Sequence, residues 1–127
     1  MNESAHSFSF SKEERLTSKK DIKELFADGS FFHIRPLQFK VLQKVSLAQS
    51  QILIAVPKRQ HKRAVVRNLV KRRIREAYRL NKHLIKESPS YLIAIIYLSP
   101  EVLSFAEIEQ KLIKGLQRLS QDQFKAK

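Results

Sequence analysis

Three stretches of the chain have the hydrophobic pattern of β-strands. Residues 37–45 (LQFKVLQKV) begin with alternating apolar and polar positions, which predicts a strand with one core face and one basic face. Residues 51–56 (QILIAV) and 91–98 (YLIAIIYL) are continuously apolar, a pattern typical of strands that are buried on both faces. The intervening residues 46–50 (SLAQS) predict a turn.

Three other stretches have helical features. The first predicted helix begins at Ser18 and ends at Gly29, and the last begins at Ser104; each serine is followed three residues later by an acid, as in a helix-capping box. The longest predicted helix runs from about Arg63 to Ile85. Apolar residues spaced for one helical face are Ile22, Leu25 and Phe26 in the first helix, and Phe105, Ile108, Leu112, Leu116 and Leu119 in the last.

The element order predicts the fold class, and the patterns above locate three of its four strands. It is α-β-β-β-α-β-α or a near variant, and the long helix between two apolar strands indicates a parallel β-α-β unit. The class is therefore α/β or α+β, a two-layer sandwich in which helices pack on a small mixed sheet. The 127 residues suit one domain, placed at residues 12–121, with a flexible N-terminal arm at 1–11 and a C-terminal tail at 122–127.

The net charge of +13 is concentrated in the middle of the chain. Residues 29–86 contain fifteen Lys and Arg but only one acid, Glu76, and carry +14, whereas the rest has ten bases and eleven acids. A solvated surface of mixed charge would not separate its signs in this way. We therefore expect a polyanionic partner, with nucleic acid favoured over an anionic membrane surface.

The long helix separates its cations from its apolar residues. At about 100° per residue, one arc of residues 63–79 is almost wholly cationic and the opposite arc is apolar. A solvated face would interleave acids, and a membrane-surface helix needs exposed apolar residues, so nucleic acid is the favoured ligand. Arg73 lies outside the cationic arc, where its stem could follow apolar surface with its head in water. The basic arc comprises Arg67, Asn68, Lys71, Arg72, Arg75 and Arg79; the core arc comprises Val66, Val70, Ile74 and Ala77, with Tyr78 at the boundary.

The residue types argue against catalysis by the protein alone. The chain has no Cys and only two Gly, so no disulfide framework, thiolate metal site or Gly-rich phosphate loop is expected, and its four His show no paired ligand spacing. Glu76 is expected to pair with Arg72 or Arg79. We expect no catalytic residue, no cofactor and no metal bound by the protein itself. The acids of the first helix are expected to be solvated: Asp21, Glu24 and Asp28.

The apolar segments are short. The run at residues 91–98 is far below the roughly 20 residues that span a bilayer. The N-terminal residues also lack the apolar core of a signal peptide. We therefore expect a cytoplasmic location and no membrane partner.

The basic helix and the strand before it resemble the bacterial ribonuclease P protein component family. The family's helix begins Arg-Asn-Arg, continues with Lys-Arg, and follows a strand that ends in Val-Ser-Lys-Lys or a similar sequence. This chain has AVPKR at 55–59 and RAVVRNLVKRRIREAYR at 63–79. Residues 14–29 resemble the family's first helix, and the element order is similar over residues 14–120. The matching motif positions are Arg67, Asn68, Lys71, Arg72, Arg75 and Glu76.

Two features depart from the family pattern. Leu69 replaces the second arginine of Arg-Asn-Arg, so its contact is lost or displaced to a neighbour such as Arg73. The loop at residues 58–63 is basic and lacks the usual glycine, which implies the same loop with altered geometry.

The resemblance implies both a fold and a function. The β-α-β crossover would be left-handed, although about 98% of such crossovers are right-handed. The protein would be a subunit of a ribonucleoprotein that removes the 5′ leader of precursor tRNA by hydrolysis, with the Mg²⁺ ions and the catalytic centre in the RNA subunit. Its partners would be the ribonuclease P RNA and precursor tRNA, with no obligate protein partner. The implied RNA-binding residues are Lys58, Arg59, Lys62, Arg63, Arg67, Asn68, Lys71, Arg72, Arg75 and Arg79.

The resemblance also implies a cleft for the single-stranded leader, between the first helix and the sheet. The family has aromatic residues on this helix, where Ile22 and Phe26 stand here, and the strand contributes Lys40 and Leu42. The alternation of residues 37–41 independently places Lys40 on the face opposite the core. Phe26 could equally pack in the core, because it belongs to an apolar stripe.

Two other functions share the charge pattern. A structural RNA-binding protein of ribosomal type would have the same basic helix and is distinguished only by the motif match or by an effect on cleavage. A binder of duplex DNA would insert the long helix into the major groove, but it would be expected to have a helix-turn-helix partner or to dimerise. The apolar strands on either side of the helix argue against both arrangements.

Overall fold

The computed structural model describes residues 10–85 and 89–121, and its element order confirms the predicted α-β-β-β-α-β-α arrangement. Short 3₁₀ turns precede the first helix and follow the second. The elements are α1 (Lys19–Asp28), β1 (Ser30–Ile34), β2 (Leu37–Gln43), β3 (Gln51–Ala55), α2 (Ala64–Asn81), β4 (Tyr91–Tyr97) and α3 (Phe105–Gln121).

The four strands form one mixed sheet in the order β1-β2-β4-β3. Strand β2 pairs antiparallel with β1 and β4, and β3 pairs parallel with β4. The predicted small mixed sheet and the parallel β3-α2-β4 unit are therefore confirmed. The left-handed crossover stays a prediction from the resemblance.

The two continuously apolar strands have different positions in the sheet. Strand β4 is central, and only Ile96 among its seven residues is partly exposed, as predicted. Strand β3 is an edge strand in which only Ile52 is buried, so the prediction that it is buried on both faces is wrong. Part of its edge is covered by the residues before α1, where the amide of Leu16 donates to the carbonyl of Ile52 (2.9 Å).

The sheet separates two apolar cores. Helices α2 and α3 pack on one face over Phe39, Ile93 and Ile95. Helix α1 packs on the other face, where Leu25 lies among residues that include Leu42. In the larger core, the ring of Phe39 stacks on that of another strand residue, Phe32, with a centroid separation of 5.0 Å. Helix α1 and the basic helix α2 therefore lie on opposite faces of the sheet.

Helices α1 and α3 begin at the predicted serines. The hydroxyl of Ser18 accepts a hydrogen bond from the amide of Asp21 (3.2 Å). At α3, the hydroxyl of Ser104 accepts from the amide of Glu107, whose carboxylate in turn accepts from the amide of Ser104 (3.1 Å). Both arrangements satisfy amide groups that have no partner inside the helix.

Gly29 ends α1 as predicted, and close packing explains the glycine. Its φ of −72° is open to any residue, so no left-handed conformation is involved. A Cβ at this position would lie 2.5 Å from the carbonyl oxygen of Leu25 and 3.1 Å from that of Val41. The missing side chain lets the chain turn from α1 directly into β1.

Two of the three acids of α1 are paired with a lysine, so the prediction that all three are solvated is wrong. The ammonium of Lys44, just after β2, lies 2.9 Å from Asp21 and 2.7 Å from Glu24. Hydrogen bonds to Glu24 and Asp21 raise the pKa of Lys44 above its ordinary value of 10.5. These contacts attach α1 to the strand beneath it.

The first described residues pack against the end of α2. The ring of Phe10 meets that of Tyr78 edge-on at 5.9 Å, and Lys82 lies 2.7 Å from the carboxylate of Glu14. Burial, followed by the nearby Glu14 carboxylate, raises the pKa of the Tyr78 phenol. The predicted arm at residues 1–11 thus includes two residues, Phe10 and Ser11, that contact the domain; residues 1–9 and the predicted tail at 122–127 lie outside the described residues.

Candidate nucleic-acid interface

Helix α2 has the two faces that its sequence predicts. Val70, Ile74 and Ala77 are buried in the larger core, whereas Val66 is only partly buried. Tyr78, predicted at the boundary, is 3% exposed and packs with the core. No helix in residues 10–85 and 89–121 is long and apolar enough to cross a membrane.

Burial outweighs charge repulsion in α2. Arg67, Lys71, Arg75 and Arg79 form a row of like charges spaced four residues apart, and each adjacent pair costs about 0.2–0.5 kcal/mol. A fully buried Val, Ile or similar side chain contributes roughly 1.5–3 kcal/mol. The apolar face therefore holds the helix in place while its outer face stays cationic.

The outer face of α2 is available to a ligand at several of the predicted positions. Asn68, Arg72 and Arg75 are exposed, and Lys71 is partly exposed. Within the described ranges, Lys71, Arg72 and Arg75 have no acidic partner at ion-pair distance. Unrelieved cations on one arc are the expected site for a polyanion.

Arg79 differs from the other cations because it pairs with Glu76. Its guanidinium donates to both carboxylate oxygens of Glu76, at 3.0 and 2.6 Å. This confirms the prediction that Glu76 pairs within its own helix, and the hydrogen bond lowers the pKa of the Glu76 carboxyl. Part of the donor capacity of Arg79 is therefore used inside the protein.

The loop before α2 is anchored at its centre. His61 is 8% exposed, and its Nε2 donates to the carbonyl oxygen of Ser99 (2.7 Å), just after β4. Arg67 donates from one guanidinium nitrogen to the carbonyls of His61 (3.0 Å) and Lys62 (2.7 Å). These bonds fix the loop while its four predicted RNA-binding cations remain exposed: Lys58, Arg59, Lys62 and Arg63.

The start of α2 adds to the positive potential of the loop. The first turn contains no acid, and the residue at the N-cap, Arg63, makes no side-chain capping bond. The N-terminus of an α-helix carries a partial positive charge and unpaired amide groups. Cations beside such an end repel it, and an anionic ligand would relieve that repulsion.

Arg73 does not replace the arginine that the motif lacks at Leu69. Its guanidinium donates to the carbonyl of Leu103, before α3, so its head is bound to the protein and the prediction of a head in water is wrong. Leu69 itself is partly buried. Helix α2 of this chain thus has no cation at the position of the motif's second arginine.

The predicted cleft between α1 and the sheet has an aromatic and cationic lining. The ammonium of Lys40 lies 5.2 Å from the ring centroid of Phe26, on α1, and 5.4 Å from that of Phe31, on β1. Phe26 is 40% exposed, so it is not a core residue. A cation between two accessible rings can contact both phosphates and bases.

The two other predicted cleft residues have supporting positions. Ile22 is partly buried against the smaller core, and Leu42 is 2% exposed beneath α1. Leu42 therefore offers almost no surface to a ligand and acts as part of the cleft floor. Of the four predicted residues, the structure places Phe26 and Lys40 together at the surface.

Sequence analysis did not identify two aromatic residues on β1. Phe31 is 61% exposed and His33 is exposed, and their rings meet edge-on at 5.9 Å. Phe31 pairs with Lys40 in the sheet register, which places it on the α1 face. In the sequence SFFHI (30–34), Phe31 and His33 alternate with Phe32 and Ile34, and because both sets contain large apolar or aromatic residues the pattern did not show which face is exposed.

The acids described in the structure are not arranged as a metal site. No group of three or more His, Asp or Glu within residues 10–85 and 89–121 could hold a metal ion. Several carboxylates are instead bound to lysine or arginine, as at Glu14, Glu24 and Glu76.

The fold and these surfaces define the class: an α+β protein with a four-stranded mixed sheet, three helices and a cationic surface suited to a polyanion. The chain belongs to the ribonuclease P protein family, because the model of the family described as Ribonuclease P matches residues 10–120. The resemblance seen in the sequence is thereby confirmed.

Curated relatives agree with this assignment. The ribonuclease P protein component of Porphyromonas gingivalis strain W83 is 38% identical over 120 residues, which cover 89% of this chain and 88% of the relative. The protein of the same name from Dictyoglomus turgidum is 35% identical over 107 residues, covering 83% and 87% of the two chains.

Solved structures have the same fold. The RNase P protein of Thermotoga maritima matches with a TM-score of 0.71 at 25% identity, over 83% of this chain and 96% of that chain. The RNase P protein of Staphylococcus aureus, at 21% identity, also matches with a TM-score of 0.71, over 85% and 95% of the two chains.

Proposed function

We propose that this protein is the subunit of ribonuclease P that binds the catalytic RNA and the 5′ leader of precursor tRNA. The observation that carries the proposal is the exposed, unpaired cationic surface of α2 and its preceding loop, in a chain of the ribonuclease P protein family. The structural RNA-binding role of ribosomal type is not favoured, because the family and its named relatives belong to tRNA processing.

The basic arc and the loop would contact the phosphates of the RNA subunit. Each Lys or Arg that neutralises a phosphate releases counterions and adds about 0.7–0.9 to the slope of log affinity against log salt. Lys71, Arg72 and Arg75, with the exposed cations of the loop, supply this charge without a competing acid. Binding at this surface would also screen the repulsion between RNA strands.

The cleft would hold the single-stranded leader. Phe26 and Phe31 offer ring faces on which bases can stack, and Lys40 lies between them. Stacking of a base on an aromatic side chain contributes roughly 1–3 kcal/mol and tolerates different bases. The cleft would therefore bind leaders of varied sequence and increase the affinity for precursor over mature tRNA.

Hydrolysis of the phosphodiester would take place in the RNA subunit, with Mg²⁺ held by the RNA. Among the described carboxylates, Asp21 and Glu24 are ion-paired with Lys44, and Glu76 is ion-paired with Arg79. The protein would contribute affinity, orientation and charge screening, and thereby lower the Mg²⁺ concentration that the RNA requires.

The test is cleavage of precursor tRNA by a bacterial ribonuclease P RNA at limiting Mg²⁺, with the protein, without it, and with the protein alone. We expect the protein to restore 5′ cleavage by the RNA and to have no activity alone. If the protein binds the RNA without increasing cleavage, a structural RNA-binding role becomes the better account. Cleavage by the protein alone would contradict the assignment of catalysis to the RNA.

A further inference from the structure

The outer side of β1 extends the surface of the proposed cleft from Phe31 towards the adjoining end of the sheet. Phe31 and His33 project from the same face of the strand, two residues apart, and both are exposed. Arg35, in the turn after β1, is also exposed. The three residues form a row that leads from Lys40 towards the end of the sheet.

The row ends at an open groove. Its volume is about 410 Å³, comparable with sites that hold small ligands. His33 and Arg35 line one side, and residues after β4 line the other. The lining residues are His33, Arg35, Pro36, Leu98, Ser99 and Pro100.

The groove lies beside the anchored loop. The carbonyl of Ser99, one of the lining residues, accepts the hydrogen bond from His61 that fixes this loop. The loop carries four exposed cations and leads into α2. The groove therefore stands between the aromatic row on the α1 face and the cationic surface on the opposite face.

A single strand could also pass from the α1 face to the cationic face across the β3 edge of the sheet, but part of that edge is covered. A strand that crossed the β3 edge would meet the segment that pairs with it, where Arg15 and Leu16 contact Ile52. At the end of the sheet beside Arg35, the groove is open. A single strand bound on the α1 face can leave along β1 and pass this end.

We propose that Phe31, His33 and Arg35 bind the single-stranded leader as a continuation of the cleft, with the 3′ end of the leader in the groove. Phe31 and His33 stack on bases, and Arg35 binds a phosphate in the groove. The direction of the leader follows from two points. The cationic loop and α2, beside the groove, would hold the catalytic RNA. The leader is joined to the tRNA through its 3′ end at the cleavage site, so this end would lie nearest to the RNA. This inference rests on the proposed function.

The first test measures binding of precursor tRNA with long and short leaders to the complex of protein and RNA. For Phe31→Ala, we expect roughly 5- to 150-fold weaker binding of the long-leader precursor, because the variant loses the stacking of one base. Binding of mature tRNA should be unchanged. Arg35→Gln is expected to weaken binding of the same precursor and to reduce the slope of log affinity against log salt concentration by about 0.7. Val45→Ala and Lys114→Gln, exposed positions elsewhere, serve as matched controls.

The second test determines the direction of the leader. The chain has no Cys, so single cysteines at Arg35→Cys and Lys23→Cys can carry a photo-crosslinker. We expect the reagent at position 35 to reach leader nucleotides nearer the cleavage site than the reagent at position 23, which lies on α1 beside Phe26. The reverse order would overturn the direction.

The outcomes separate this inference from the proposed function. If the wild-type protein does not stimulate cleavage, the proposed function fails and the inference fails with it. If it stimulates cleavage but Arg35→Gln binds long-leader precursor as the wild type does, the continuation beyond Phe31 fails and the proposed function stands. Equal losses for precursor and mature tRNA would also overturn it, because they would show that the row does not bind the leader.

Discussion

Individual arginines of α2 have different roles, although the sequence places them on one arc. Arg67 is hydrogen-bonded to two carbonyls of the preceding loop, and Arg79 is paired with Glu76. Arg72 and Arg75 are exposed and have no acidic partner among residues 10–85 and 89–121. We infer that Arg67 holds the loop before α2 in place. Arg72 and Arg75 would provide most of the contacts of α2 with RNA phosphates.

Exchange of Arg67 or Arg72 for alanine should separate these roles. Arg72→Ala should reduce the salt slope of RNA binding by about 0.7–0.9 and leave unfolding unchanged. Arg67→Ala should lower the unfolding free energy by about 1 kcal/mol, because it removes two hydrogen bonds to loop carbonyls. Salt titration of RNA affinity and urea unfolding measure both effects. Equal stability of the two variants would contradict a structural role for Arg67.

Gly115 is required by the packing of α3 on Phe39. A Cβ at this position would overlap the ring of Phe39, which is fully buried in the larger core. Gly115→Ala should therefore lower the unfolding free energy by about 1–3 kcal/mol, even though alanine favours a helix. Urea unfolding measures the change, and Gln117→Ala on the exposed side of α3 is the control. A stability equal to wild type would show that α3 does not approach the strand this closely.

At the scale of the elements, α1 depends on one lysine for its attachment. Lys44→Gln should lower the unfolding free energy by up to about 1 kcal/mol at neutral pH, because it removes ion pairs to Asp21 and Glu24. The raised pKa of Lys44 means that this contribution is complete below pH 10.5 and is lost as the pH rises through the higher folded-state value.

Chemical denaturation as a function of pH measures this dependence. The difference between wild type and Lys44→Gln should be constant near neutral pH and should shrink above pH 10.5. Lys19→Gln, at an exposed position of the same helix, should show no comparable difference. A difference that persists at strongly alkaline pH would contradict the ion-pair explanation.

Sequence patterns predicted the individual helices and strands better than they predicted which elements lie next to each other in the fold. The capping serines, the amphipathic α2 and the apolar β4 were predicted because each depends on residues close in sequence. The edge position of β3 was not predicted, because a continuous apolar run does not specify how many strands flank it. Residues 44–45 were predicted in β2, but the strand ends at Gln43 and Lys44 pairs with α1.

The basic arc of the candidate site could be predicted from one helix, whereas the strand residues of the cleft were predicted only in part: Lys40 was named and Phe31 was not. The basic arc required only helical periodicity and the motif match. The position of Phe31 beside Lys40 depends on the pairing register of β1 with β2, which the sequence alone does not supply. The hydrogen bonds of Arg67 and Arg73 depend on loop carbonyls whose positions are set by the tertiary fold.

At the scale of the whole molecule, the two surfaces that we propose to bind RNA lie on opposite faces of one sheet. The basic helix packs with α3 on one face, and the aromatic row lies with α1 on the other. This arrangement allows two RNA segments to be bound at once. We therefore expect structured RNA to displace the protein from duplex DNA in a competition assay; a preference for duplex DNA would contradict the account.

The most direct measurement is single-turnover cleavage of precursor tRNA by the RNA subunit, titrated first with protein and then with precursor. With the double variant Arg72→Ala/Arg75→Ala, a higher protein concentration should be needed for half-maximal cleavage, and the cleavage rate at saturating protein should equal that of the wild type. The double variant Phe26→Ala/Lys40→Ala should bind the RNA subunit at the same protein concentration as the wild type, but a higher precursor concentration should be needed for half-maximal cleavage. If the first variant leaves the protein requirement unchanged, or the second leaves the precursor requirement unchanged, the assignment of the two surfaces is wrong.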